Sequence, residues 1–247
     1  MQIDAIIKSH HKDYVKLPFV IDSLRFVNPQ PENIYLINRD NFNPLPDDKR
    51  ITVFHDDEVF PGTDRSRLRF RPNWCFMSII GVFQEITKND YYLDVQSDNI
   101  FLQPIDLFEN DKPLFFMSPQ HSHYHQPYFT FSKRMFDVGR EGSDSFIVDF
   151  MLYNKNIGRE MRSGYKDFNQ FFDRICEVTD RNSYIGDYEL YPNWCLKYKP
   201  GMYDIKKINT ILLGNKNIGH YTKEKIDQII NSSHNATAIS LHTWADC

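Results

Sequence analysis

The chain has 247 residues, 41% of them hydrophobic and 25% charged, a size and balance that fit one α/β domain with a sizeable core. Its 29 basic and 33 acidic residues give a net charge of −4, which speaks against a surface built to track nucleic-acid phosphates. No apolar run has the length of a membrane helix, and Met1-Gln2-Ile3-Asp4 lacks the charged-then-apolar start of a signal peptide, so a cytoplasmic location is expected.

Ile3 to Ser9 reads as a buried strand. Tyr14 to Phe26 carries Val15, Phe19, Ile21 and Leu24 at helical spacing, and Pro29 and Pro31 stop it. Strands are expected at Asn33 to Asn38 and at Ile51 to Phe54, with a surface loop over Asn43 to Lys49 between them. This β-α-β-x-β order predicts an α/β fold with a mostly parallel sheet covered by helices. Trp74 to Thr87 reads as a helix and Tyr91 to Val95 as the fourth strand. Further strands are expected at Leu114 to Ser118 and Tyr128 to Ser132. Asp144 to Met161, Tyr165 to Cys176 and, despite Pro192, Tyr188 to Tyr198 read as helices. The tail holds a strand at Ile211 to Leu213, a helix from Thr222 to Asn231 and a strand at Ala238 to Leu241. No repeat or low-complexity linker divides the chain, so a single domain is expected over residues 1–247.

The four cysteines, Cys75, Cys176, Cys195 and Cys247, are scattered without CxxC spacing, which favours free thiols over disulfides or a structural zinc. Aromatic residues make up 15% of the chain; they can fill a core or line a cleft that stacks on bases and sugar rings.

Ligands of open α/β sheets bind beyond the carboxyl ends of the strands. The fourth strand ends in Leu93-Asp94-Val95-Gln96-Ser97-Asp98-Asn99-Ile100-Phe101-Leu102-Gln103-Pro104. Two carboxylates and two amides crowd this transition. A hard cation such as Mn²⁺ or Mg²⁺ takes oxygen ligands of this sort together with diphosphate oxygens. The competing reading is a plain turn, because Asp, Asn and Ser favour turns.

This segment resembles the strand, Asp-x-Asp, apolar-Phe-Leu-x-Pro signature of GT-A glycosyltransferases, with Asp98 on the second Asp and Gln96 on the first. Gln96 is a departure: an amide can contact ribose but offers a cation no charge. Asp94, two residues earlier, would share a strand face with Gln96 and Asp98. Other fragments resemble the same group in the same order. They are Ile6-Ile7-Lys8-Ser9-His10, Arg71-Pro72-Asn73-Trp74 before a helix, Ser145 to Tyr153 as an acceptor-side helix, Ile185-Gly186-Asp187-Tyr188-Glu189-Leu190-Tyr191, and the terminal His242-Thr243-Trp244. The group resembled is found in bacteria and large DNA viruses, including a glycosyltransferase domain of algal viruses.

The resemblance implies a GT-A, Rossmann-like fold and transfer of a sugar from a nucleotide diphosphate sugar, UDP being the commonest, to a glycan or other hydroxyl acceptor. It implies a divalent metal held by Asp98 and His242, and a nucleotide-sugar site drawn from Ser9, His10, Arg71, Trp74, Asp94, Gln96, Ser97 and Asp98. Inversion is expected over retention, with Asp187 as the base and Glu189 second. An acid at a helix start is equally a cap, and His242 can equally be a histidine packed beside Trp244. Two carboxylates two apart do not share a helix face, so one of Asp187 and Glu189 is expected in the cleft.

Arg65, Arg67, Arg69 and Arg71 alternate and, if extended, would line one face; Arg71 is the one expected to meet phosphate. His121-Ser122-His123-Tyr124-His125 is expected as a loop between Pro119 and Pro127 rather than a zinc site, and Gly219-His220-Tyr221 is a weak echo of a glycosyltransferase motif. Two rival functions use the same acidic cluster: a metal-dependent phosphoesterase or nucleotidyltransferase, and a sugar-nucleotide-binding module without turnover, which Gln96 keeps open.

Overall fold

The computed structural model describes residues 1–117, 125–142, 144–214, 221–233 and 235–242. Ser118, the His121 to Tyr124 run, Gly219, His220, Trp244 and Cys247 lie outside the described residues. The strands are β1 (Ile3–Lys8), β2 (Val27–Asn28), β3 (Ile34–Asn38), β4 (Ile51–His55), β5 (Tyr91–Gln96), β6 (Asn99–Phe101), β7 (Ile105–Asp106), β8 (Phe108–Glu109), β9 (Lys112–Met117), β10 (Phe150–Asn154), β11 (Asp204–Lys207), β12 (Thr210–Gly214) and β13 (Ala238–His242). The helices are α1 (Leu17–Ser23), α2 (Asp56–Val59), α3 (Pro72–Phe83), α4 (Gln126–Phe136), α5 (Lys155–Met161), α6 (Phe168–Val178), α7 (Asp187–Tyr198) and α8 (Lys223–Ser232).

The central sheet has five strands in the order β10-β5-β1-β3-β4. β5, β1, β3 and β4 run parallel, and β10 joins β5 antiparallel. This is the mixed, mostly parallel sheet expected from the sequence.

Strand parity sorts the core into two layers. Ile3, Ala5 and Ile7 of β1 and Leu93 and Val95 of β5 pack on one face with α1, β6 and β13. Ile6 of β1, Tyr92 of β5, Met151 and Tyr153 of β10 pack on the other face against α3, α6 and α7. Lys8, Asp94 and Gln96 share the parity of Ile6 and Tyr92. They are therefore polar residues on the face that α3 and α7 cover. In register, Ile6 pairs with Asp94 and Lys8 with Gln96, so Lys8 and Asp94 are diagonal neighbours on that face.

Two expected elements differ. Tyr128 to Ser132 is not a strand but part of α4, opened by Pro127 in its first turn and closed by Asp137 in the left-handed region. The aromatic run favoured a strand locally; burial of Tyr128, Phe129, Phe131 and Ser132 on one helical stripe decides otherwise. The helix expected over Asp144 to Met161 begins only at Lys155, because Phe150–Asn154 is strand β10. A strand buried on both faces is apolar at both parities, and its sequence reads like a buried helix.

Candidate functional site

A cleft of about 740 Å³ opens at the carboxyl ends of β1 and β5. His10, Arg71, Trp74, Gln96, Ser97, Asp98, Asp187, Glu189 and His242 all line it. Two expected residues do not. Ser9 is buried beneath it, and Asp94 is fully buried and engaged elsewhere.

One pole of the cleft is built by strand pairing. β13 runs antiparallel to β6 with Ser240 opposite Asn99, and the Leu241 amide donates to the Asp98 carbonyl at 2.9 Å. That register places His242 beside Asp98: Nδ1 lies 3.1 Å from Oδ2. Asp149, which the sequence reading placed in a helix, precedes β10 at φ 63°. Its carbonyl accepts the Gln96 amide at 3.0 Å, continuing the β10–β5 ladder by one residue. Its carboxylate Oδ2 lies 3.4 Å from His242 Nε2. Burial disfavours charge on His242, but the bonds to Asp149 and Asp98 outweigh it and raise its pKa to about 10.

Lys16, fully buried, backs this pole. Its Nζ bonds Asp13 Oδ1 and the Leu241 carbonyl, each at 2.7 Å, and lies 3.9 Å from Asp98 Oδ2. Ser97 Oγ donates to the other Asp13 oxygen at 3.0 Å. Neither Asp13 nor Asp149 was singled out from sequence. For Asp149 the sequence offers no local strand signal, because Phe150–Asn154 is apolar and buried on both faces.

The second pole sits where α3 and α7 cross the sheet. Lys8 Nζ lies 2.7 Å from Asp94 Oδ2 and 3.2 Å from Asp187 Oδ2. Ser78 Oγ donates to Asp187 Oδ1 at 3.1 Å. Asp94 does not join Gln96 and Asp98 in the cleft; Tyr188 Oη donates to its Oδ1 at 3.3 Å, and Gln96 Nε2 donates to Tyr188 Oη at 3.2 Å. Burial works against the Lys8 charge, yet Asp94 and Asp187 raise its pKa. Burial pushes the Asp94 carboxyl upward; Lys8 opposes this and Asp187 adds to it.

Asp187 is not a cap: Gly186 holds the N-cap position of α7, and the Asp187 carboxylate turns to Lys8 and Ser78. Glu189 also lines the cleft, so both acids do, in separate networks. Its Oε1 accepts from Ser145 Oγ at 2.5 Å and its Oε2 from Asn193 Nδ2 at 3.3 Å. Burial raises the Glu189 pKa to about 7, against the pull of Ser145, Arg140 and Asn193.

An aromatic wall completes the cleft. Trp74 and Tyr128 stack at 5.6 Å, and the Arg71 guanidinium lies 4.8 Å over Trp74. Tyr128 lies flat on Gly186, where a β-carbon would meet its ring at 2.5 Å. Arg71 adopts φ 45°, a left-handed backbone that side chains disfavour by about 1–2 kcal/mol. The four arginines do not form one basic face. Arg65–Arg67 is a turn of 3-10 helix, Arg65 pairs with Asp56 and Asp57, and Arg67 pairs with Asp173.

Outside the cleft, His55, Asp56 and Asp57 gather ligand atoms within 4.8 Å. Arg39 and Arg65 already neutralise Asp56, and His55 caps α2. Cys75, Cys176 and Cys195 are free and buried. Among the described residues, no helix is long and apolar enough to cross a membrane.

No protein-family model matches the chain, and no curated protein matches it. Among solved structures it is similar to a bifunctional glycosyltransferase, WbbM, in its apo form, at 10% identity and a TM-score of 0.49 over 97% of this chain. The chain spans 45% of that protein's length.

Proposed function

We propose that the chain is one glycosyltransferase domain that moves a sugar from a nucleotide diphosphate sugar, UDP-linked by first choice, to a hydroxyl of a glycan or glycoconjugate in the cytoplasm. The observation that carries this reading is the pairing of poles in one cleft. A carboxylate–histidine pole, Asp98, His242 and Asp149, shares it with an acidic pole, Asp187 and Glu189. Transfer needs both: charge neutralisation at the leaving diphosphate and proton removal at the acceptor.

The donor set suits Mn²⁺ or Mg²⁺. Asp98 Oδ2 and His242 Nδ1 stand 3.1 Å apart. Asp98 and His242 would hold the cation, and Asp149, at the other ring nitrogen of His242, would fix the orientation of the imidazole. When bound, the ion acts as a Lewis acid on the diphosphate. Gln96, Ser97 and His10 face the nucleoside side, and Arg71 and Trp74 the sugar-phosphate side. Ser9 and Asp94 support these residues from below.

Asp187 is the base in this reading: it lines the cleft, and Lys8 and Ser78 fix both its oxygens. Glu189, with a pKa near neutrality, is the second choice and otherwise orients the acceptor. An inverting displacement is the mechanism that calls for such a base. The rival phosphoesterase reading predicts release of monophosphate or free phosphate, and the binding-module reading predicts no release.

The test is a thermal-shift panel of UDP and sugar nucleotides with and without Mn²⁺, followed by measurement of UDP release. A metal-dependent shift and slow UDP release are expected. Asp187→Ala should keep the shift and lose about 100-fold or more in transfer. Full turnover in that variant would remove Asp187 from the role of base.

A further inference from the structure

We propose that Lys8 is a positioning residue for transfer: with Ser78 it holds the Asp187 carboxylate in the cleft, and it ties that carboxylate through Asp94 and Tyr188 to Gln96. The proposal rests on the transferase reading above.

The geometry is continuous. Gln96 Nε2 donates to Tyr188 Oη at 3.2 Å, and Tyr188 Oη donates to Asp94 Oδ1 at 3.3 Å. Asp94 Oδ2 meets Lys8 at 2.7 Å, Lys8 meets Asp187 Oδ2 at 3.2 Å, and Ser78 holds the other Asp187 oxygen. Gln96 and Asp187 both line the cleft, and in the transferase reading they serve the nucleotide and the acceptor respectively. The buried side chains between them connect the two.

A purely structural role fits poorly. The same sheet face is otherwise covered by Ile6, Tyr35, Ile37, Tyr92, Met151 and Tyr153. A Lys–Asp pair at that depth adds little to stability over apolar residues of equal volume. Here one ammonium serves two carboxylates, an arrangement that packing alone would not select. Helix α3 also gives up a side chain for it: at Gly81 a β-carbon would lie 2.6 Å from Lys8 Nζ, 2.8 Å from Asp94 Oδ2 and 2.9 Å from Asp187 Oδ2. Without Lys8, Asp187 keeps only Ser78, and a carboxylate left beside Asp94 is repelled from its place.

The test compares Lys8→Met and the double variant Lys8→Met/Asp94→Asn with the natural chain. UDP with Mn²⁺ is the binding probe, and UDP release from the sugar nucleotide of largest thermal shift is the rate probe. Both variants should bind UDP within about threefold of the natural chain and lose about 100-fold in kcat, the scale of a misplaced reacting group. The double variant removes the Lys8–Asp94 pair and with it the repulsion that Asp94 exerts on Asp187 in Lys8→Met, and urea unfolding of both variants checks that the fold is kept. Recovery of kcat in the double variant to within about tenfold of the natural chain would make Lys8 a charge-balancing residue only and overturn the proposal. Parallel loss of UDP affinity and kcat would also overturn it. If the natural chain releases no UDP from any sugar nucleotide, the transferase reading itself fails, an outcome the variants cannot mimic.

Discussion

The α-carbon of Gly81 sits against the ammonium of Lys8, so close that a β-carbon there would fall 2.6 Å from Nζ. Gly81→Ala therefore sets two effects against each other. Alanine favours a helix interior over glycine by about 1 kcal/mol. Overpacking a filled site costs about 1–3 kcal/mol. Three charged atoms crowd the new methyl, so crowding wins by about 1–2 kcal/mol. In a chain of this size that is a fall in Tm of about 2–8 °C, with transfer reduced more than stability because Lys8 and Asp187 must separate. A rise in Tm on calorimetry would show that the cluster accommodates a methyl group.

Asp98 and His242 meet because β13 pairs with β6, and Lys16 keeps the Asp98 side of that pole buried. Asp98→Ala should abolish the part of a UDP thermal shift that depends on Mn²⁺. At a ligand concentration 100 times Kd that part is about 2.7 kcal/mol. It corresponds to a Tm difference of about 5–10 °C for a chain this long. Differential scanning fluorimetry with and without Mn²⁺ reads it directly; an unchanged difference would move the cation site elsewhere in the cleft.

Much of this pole was legible in the sequence, and the part that was not has a physical reason. Asp98 stood out as an acid at a strand end, and both it and His242 were singled out as ligands by the resemblance to GT-A motifs. Asp149 did not, since Phe150–Asn154 is buried on both faces and loses the alternation that marks a strand. Nor was the pairing of Lys8 with Asp94 foreseen: it depends on the β1–β5 register, a long-range fact. Strand parity did place Asp94 and Gln96 on one face, but α7 then covered Asp94 and left Gln96 in the cleft. The acids of α7 show the same limit. Two residues apart, Asp187 and Glu189 diverge as helix geometry requires, and the cleft is wide enough to be lined by both.

Asp149 offers a cleaner probe of the cation pole than Asp98, because its backbone sits at φ 63°, which asparagine tolerates nearly as well as aspartate. Asp149→Asn keeps the turn and its carbonyl bond to the Gln96 amide while removing one charge beside His242. The Mn²⁺-dependent thermal shift should shrink by more than half, and the shift with UDP alone should hold. Equal Mn²⁺ dependence in the variant and the natural chain would leave Asp149 as a structural turn residue.

Glu189 gives the pH dependence a definite sign. Its carboxyl is raised by burial from 4.5 to about 7 in the folded chain. The folded state therefore binds more protons than the unfolded state between about pH 4.5 and about 7, and stability falls as pH rises through that window. The contribution from this group is fully present below the unfolded value and is lost above about 7. A shift of this size is worth about 3 kcal/mol at most. Glu189→Gln removes the titration at nearly constant shape, its amide oxygen accepting from Asn193 and its NH2 turned to the Ser145 hydroxyl. Urea unfolding at pH 5 and pH 8 should show the natural chain losing more stability between the two than the variant does. If Glu189 rather than Asp187 takes the acceptor proton, transfer by the natural chain also rises with pH through 7 and the variant is inactive throughout. If Asp187 is the base, Glu189→Gln retains transfer, and its rate no longer bends near 7.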